Sequence, residues 1–292
     1  MTSYINTIDE IIALYELEPE LCDIYVEGIT DQLVIKRFID KYDIYDVNVK
    51  LIEDIDFNSI CEKYPNIKRN NKEKLITLSK EISKNDELEK INKLTIIIDK
   101  DFDEINQTMI SNKYVKYTDY NSLELYLYNE SVIDNFYSCV LRRFPFNGNK
   151  TITVLSPLLQ DCFIISAVFH EENIGKSDRV DYSNSIKIDK KNCRIDFSLD
   201  EHLKKDLNKL SKSRDLISYL EKIEEKKQKL HCNIKNNIRG HDFFEILFLF
   251  IDKVSNSIKL NLDVFERSFL QCIDYSELRK ENLFKYLEEK YK

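Results

Sequence analysis

Asp99, Asp101 and Asp103 stand at alternate positions in TIIIDKDFD, residues 95–103, where an apolar run ends in three carboxylates. Like charges this close repel, and each loses hydration where a strand end is covered. A divalent cation offsets both costs, and carboxylate oxygens with retained water suit Mg2+ or Mn2+. In an extended chain the three side chains point to one side, ~6–7 Å apart between successive Cα atoms. A turn would bring them closer. Two further acidic groups accompany them: Glu27 and Asp31 around the glycine of VEGITD, residues 26–31, and Asp119 and Glu124 in TDYNSLELYL, residues 118–127. Three acidic clusters at consecutive expected strand ends are hard to explain by packing.

Several chemistries compete for TIIIDKDFD. A calcium loop of the EF-hand kind needs Gly sixth and Glu twelfth, where this chain has Glu104 and Ile110, so that reading fails. A Mg-dependent phosphatase of the haloacid-dehalogenase type also places D-x-D after an apolar strand. It wants Thr or Val four residues after the first Asp, where Asp103 stands. A third reading is an acidic loop capping the following helix.

The elements that must position these acids are legible in outline. CDIYVEG (22–28) alternates and ends at Gly28; Thr30 can then cap a helix to about Tyr42, with Leu33, Val34, Phe38 and Ile39 on one face. DVNVKLIE (46–53) reads as a second strand, KLTIIID (93–99) as a strand buried on both faces, and KYVKYTD (113–119) as a fourth. Residues 4–17 read as an amphipathic helix. A helical insertion covers about 56–92, with a break near Pro65, and another helix begins at Asn121 or Ser122. The order is α/β, which implies a mostly parallel sheet flanked by helices. Ligand sites in such sheets lie at the carboxyl ends of strands, where Glu27 and Asp99 fall. The expected division is 1–130 for this domain and 131–292 for a mainly α-helical part. In the second part, short strands at 185–189 and 193–198 precede helices at 201–212, 214–234, 241–254, 262–273 and 276–290. That part suits dimerisation or partner docking.

Composition narrows the function. Only four glycines are present, with neither G-x-x-x-x-G-K nor G-x-G-x-x-G, so a nucleotide-binding loop is not expected. Seven scattered cysteines without a C-x-x-C pair suggest reduced thiols and a cytoplasmic location. The first twenty residues are acidic and carry no basic n-region, which argues against a signal peptide. No uninterrupted apolar run approaches the ~20 residues of a bilayer span, so no membrane is expected. The net charge of −8 is unusual for a nucleic-acid-binding protein. Between Leu203 and Arg239, however, eleven Lys/Arg stand against five acids. That segment is either a solvated helix face or a phosphate-contacting patch. Phe243, Phe244, Leu247, Phe248 and Phe250 recur at helical spacing and read as core.

The ordered set of motifs resembles the TOPRIM domain, the catalytic module shared by topoisomerases, primases and OLD-type nucleases. The fuller pattern is similar to the TOPRIM-like nucleases of bacterial anti-phage systems, the PARIS nuclease subunit among them. The matching residues are Glu27-Gly28-Ile29-Thr30-Asp31, Asp99 to Asp103, Ser122-Leu123-Glu124-Leu125-Tyr126-Leu127 and Gly240-His241-Asp242-Phe243-Phe244. The resemblance implies a metal-dependent endonuclease acting on tRNA, other RNA or DNA. Glu27, Asp31, Asp99, Asp101 and Glu124 would be catalytic. Those five with Asp103 and Asp119 would be the candidate ligands for Mg2+ or Mn2+, and Lys100, Arg239 and His241 would contact phosphate. It further implies a homodimer acting as the toxic effector of an abortive-infection system. The chain carries no ATPase of its own, so a partner ABC/SMC-like ATPase would act in trans. A non-catalytic TOPRIM-like binding or sensor module is the alternative from a different class.

Overall fold

The computed structural model describes residues 6–58, 61, 64, 70–85, 93–255 and 260–292. In chain order the elements are β1 (Asn6–Thr7), α1 (Ile8–Leu17), β2 (Cys22–Val26), α2 (Ile29–Lys41), β3 (Val47–Leu51), β4 (Ile55–Asp56), α3 (Asn71–Ser83), β5 (Leu94–Ile98), α4 (Asp103–Asn106) and β6 (Val115–Tyr117). There follow α5 (Glu130–Phe136), α6 (Gly148–Glu171), β7 (Lys187–Asp189), β8 (Arg194–Asp196), α7 (Leu199–Lys209), α8 (Leu216–Lys227), α9 (Gly240–Ser255), α10 (Leu262–Leu270), α11 (Tyr275–Leu278) and α12 (Asn282–Tyr291). They form two compact units, one of Met1–Lys100, Met109–Asp119 and Tyr275–Lys292, the other of Asp101–Thr108 and Tyr120–Asp274.

The first unit is built on a four-stranded sheet in the order β3-β2-β5-β6, with every pairing parallel. All residues of β2 and β5 are buried: the apolar run of β5 reflects this, while β2, whose alternation suggested one exposed side, buries Asp23 and Tyr25 as well. Helix α2 buries Val34, Ile35, Phe38 and Ile39, while Tyr15, Leu75, Leu78, Ile82, Leu94, Ile96 and Ile98 share one core cluster. Gly28, not Thr30, is the N-cap of α2, and Thr30 lies inside the first turn. Of the expected insertion at 56–92, the described part is chiefly α3; Pro65 lies outside the described residues.

Residues 275–292 belong to the first unit, whereas the sequence alone suggested a single break at 130. The reason is local bonding. The Leu283 N–H at the start of α12 donates to Asp119 Oδ2 (3.0 Å), Lys290 Nζ donates to Leu94 O (2.7 Å), and Tyr291 OH donates to Thr95 Oγ1 (2.8 Å).

The second unit is mainly helical, with β7 and β8 as a small antiparallel pair. The 24 residues of α6 are long and apolar enough to cross a membrane, although no single uninterrupted run suggested it. Most of that apolar stretch is buried within the protein, with Phe163, Ile165, Val168 and Phe169 inside the core. A second core joins Phe136, Phe243, Phe244, Phe265 and Phe269; the Phe136 and Phe269 rings lie 5.0 Å apart. The aromatic face of α9 is thus packing surface, as its spacing suggested. The basic segment is largely tied down. Lys212 and Lys222 hold Glu172, Lys226 holds Glu171 and Asn106, and Lys205 and Lys209 donate to main-chain carbonyls. Burial pushes the Glu172 carboxyl up, but hydrogen bonds from Lys222, Tyr219 and Lys212 outweigh it and hold the pKa near about 2.

One buried group makes this unit sensitive to acid. His202 is fully buried, with Nδ1 2.9 Å from Ser185 Oγ and its ring stacked on Tyr182. Burial, followed by the charges of Arg179 and Lys205, lowers its pKa to about 4. The unfolded chain takes up this proton near pH ~6.5. Stability is therefore complete above that pH and falls as pH drops towards 4, by at most about 3 kcal/mol. Asp206, raised by its own burial, opposes part of the loss. Urea titrations at pH 7 and pH 5 are expected to show the decline in the wild type and a smaller one in His202→Phe. Equal slopes in the two proteins would remove His202 from the account.

Candidate functional site

The strand order creates a switch point. The chain leaves β2 for β3 on one side, then returns past β2 to lay down β5 on the other. In open parallel sheets connections diverge at such a point, and ligands bind outside the carboxyl ends of the strands. Glu27 directly follows β2 and Asp99 directly follows β5. Their proximity is explicit: the Asp99 N–H donates to Glu27 Oε1 at 3.2 Å. Helix α3 brings two residues to the same strand ends. Asn71 Nδ2 donates to Glu27 O (2.9 Å) and Glu53 Oε1 (3.1 Å), and Lys72 Nζ donates to Lys100 O (3.1 Å). Lys100 Nζ in turn reaches Asp119 O at 2.9 Å.

The other predicted acids each make bonds of their own. Asp31 Oδ2 accepts the Gly28 N–H at 3.0 Å, closing the turn between β2 and α2. Asp119 Oδ2 caps α12 through Leu283, as described above. In the second unit, Asp103 Oδ1 accepts from Thr108 Oγ1 at 2.9 Å at the start of the single-turn helix α4. The segment after Asp99 does not stay extended. Asp101 takes the left-handed conformation (φ 49°), and its N–H donates to Asn121 O at 2.7 Å. Lys100, which an extended chain would aim away, is accordingly engaged by Asp119. Asp99 and Asp101, two residues apart in the chain, fall in different units.

The second unit also unites two of the sequence motifs. Glu124 lies on a 3-10 turn (Leu123–Leu127) where a regular helix was expected, and Gly240 opens α9 against it. A Cβ on Gly240 would stand 2.4 Å from Ser122 Oγ, 2.6 Å from Glu124 Oε2 and 2.9 Å from Glu124 Cβ. Gly240→Ala is therefore expected to displace Glu124 and to cost about 1–3 kcal/mol by overpacking. A denaturation midpoint unchanged from the wild type would show that the turn yields freely. Arg239 lies over the Phe102 ring at 5.3 Å and 3.9 Å from Asp242, while His241 is exposed. Asp242 is fully buried and meets Lys176 at 3.3 Å.

Asn71, Lys72 and the buried pairing of Asp242 were not singled out from the sequence. Asp242 could have been found, since an acid opening an apolar helix needs a partner. Asn71 and Lys72 carried no signal in a charged helical stretch.

Among the described residues no three His, Cys, Asp or Glu side chains gather as a metal group. Magnesium does not require one, because it is commonly held by one or two carboxylates with water and substrate phosphate completing its shell. Glu27 and Asp99 fit that requirement in donor chemistry, and the main chain of Asp99 lies against the Glu27 carboxylate.

These features define an α/β protein whose parallel sheet sets two acids at its switch point. No protein-family model matches the chain, and no curated protein matches it.

Proposed function

We propose that the protein is a TOPRIM-like, Mg2+- or Mn2+-dependent nuclease that hydrolyses phosphodiester bonds in RNA or DNA. The observation that supports this reading best is the meeting of Glu27 and Asp99 across the switch point of a parallel sheet. Glu27 and Asp99 would hold the ion, which supplies charge stabilisation and an acidified water when bound. Asp31 keeps the Glu27-Gly28 turn closed, so Glu27 leaves β2 in a fixed direction. Asn71 fixes the Glu27 carbonyl from α3. The motif likeness adds Asp101 and Glu124 to the acids to be tested. Control by an ATPase acting in trans, dimerisation and an anti-phage role rest on that likeness alone.

The test incubates purified protein with labelled tRNA, single-stranded RNA and duplex DNA in Mg2+, Mn2+ or EDTA, beside Glu27→Gln, Asp99→Asn, Asp101→Asn and Glu124→Gln. Cleavage that needs metal and is lost in the first two variants supports the reading. Turnover confined to small phosphate esters, insensitive to Glu27→Gln, would favour a phosphatase. Binding without cleavage under every condition would favour a non-catalytic module.

A further inference from the structure

Lys72 has no place in the motifs that led to the acids, yet α3 delivers its ammonium to the strand end that carries Asp99. Three observations fix it there. Its Nζ donates to the carbonyl of Lys100, the residue after Asp99, at 3.1 Å. Its neighbour Asn71 donates to the carbonyl of Glu27, so the first turn of α3 is tied to the ends of both β2 and β5. Asn70, the N-cap, accepts the Glu73 N–H at 2.8 Å, which sets where that turn begins. The lysine is half-buried, not extended into solvent. An ammonium carries three donor hydrogens and no acceptor, and a hydrated point charge of this kind is a common phosphate ligand.

The acids alone present a difficulty for the substrate. A polyanion approaching Glu27 and Asp99 meets two negative charges in a protein whose net charge is −8. A cation bonded to the Lys100 carbonyl, at the strand end that carries Asp99, offsets part of that repulsion whether or not a metal is bound.

We infer that Lys72 is a substrate-binding residue of this site, contacting a backbone phosphate of the nucleic acid at the carboxyl end of β5. The inference rests on the nuclease reading above and adds to it a residue on α3 that none of the motifs contains.

The experiment measures binding and cleavage separately. Binding of labelled single-stranded RNA and duplex DNA is followed in EDTA over 50–300 mM salt, for wild type, Lys72→Met, Lys72→Arg and Lys80→Ala. Lys72→Met keeps the aliphatic stem, Lys72→Arg keeps the charge, and Lys80 is an exposed lysine further along α3. Lys72→Met is expected to bind about ten-fold more weakly at low salt. Its slope of log affinity against log salt should be shallower by about 0.7–0.9, the loss of one phosphate contact. Lys72→Arg should recover most of the affinity, and Lys80→Ala should match the wild type. In Mg2+, kcat/KM of Lys72→Met should fall at least ten-fold while its urea midpoint is kept.

Wild-type affinity and slope in Lys72→Met overturn the inference even if cleavage proceeds normally. Metal-dependent cleavage abolished by Glu27→Gln, but indifferent to Lys72→Met, overturns it while leaving the nuclease reading intact. Cleavage insensitive to Glu27→Gln overturns the nuclease reading instead, and the salt slopes then decide the role of Lys72 alone. Failure of the wild type to bind any probe overturns both.

Discussion

Glu27→Gln is expected to lower metal-dependent phosphodiester cleavage by about 10²–10³-fold or more, the usual cost of removing one fixed electrostatic group from an active centre. The substitution is nearly isosteric. A glutamine oxygen can still accept the Asp99 N–H that Glu27 Oε1 accepts at 3.2 Å. The urea midpoint should therefore stay close to that of the wild type, and the loss should be chemical. Asp99→Asn should behave alike, and EDTA should abolish the wild-type rate. Asp31→Asn and Asp119→Asn are informative companions, because these acids accept from Gly28 N–H and Leu283 N–H. Each should cost about 1 kcal/mol of stability through a weakened charge-assisted bond. Activity within three-fold of the wild type in Glu27→Gln would remove the proposed centre.

Asp23→Ala is expected to destabilise the first unit by about 3 kcal/mol. Asp23 lies fully buried in β2 and accepts from three side chains: Tyr15 OH at 2.7 Å, Asn48 Nδ2 at 3.1 Å and Lys50 Nζ at 2.6 Å. Its removal leaves Lys50 partly buried without its carboxylate and takes from the buried Tyr15 hydroxyl its short partner, which is the costly way to break such a pair. Burial and the neighbouring Tyr25 and Asp23 hold the Tyr15 hydroxyl far above the usual phenol range, so it serves only as a donor to Asp23 at ordinary pH. Asp23→Asn keeps an acceptor and should cost less. Urea denaturation of both variants checks the order, and a loss under 1 kcal/mol in Asp23→Ala would refute it. Glu27 follows β2 directly, so a frayed strand should also lower activity, in step with the unfolded fraction.

Much of the first unit was readable before the structure. The continuous apolar run at 94–98 signals burial on both faces, and the alternation of strands with helical segments signals parallel pairing. From these the Glu27 and Asp99 strand ends followed. Sheet order was not readable, because nothing local in β2, β3 or β5 records which strand becomes the neighbour. The switch point therefore emerged only with coordinates. Asp103 and Asp119 show the other limit. The N–H or hydroxyl that a carboxylate meets in the folded chain is not written in its sequence neighbours. For Asp119 that group is Leu283, 164 residues away. The failure at Lys72 is of the same kind, since a lysine in a charged helix gains meaning only from where α3 points.

The return of α11 and α12 to the first unit bears on how the protein is made. Residues 275–292 emerge from the ribosome after the whole of the second unit, yet Lys290 and Tyr291 bond to the beginning of β5. The strands of the sheet bearing Glu27 and Asp99 are thus made before the second unit, but the sheet is completed only after it. Domains tend to fold as units while the chain grows, and contacts across so long a loop form late. Until α12 has been made, that sheet lacks the bonds from Leu283, Lys290 and Tyr291, so its strand ends wait for a segment that follows the whole second unit.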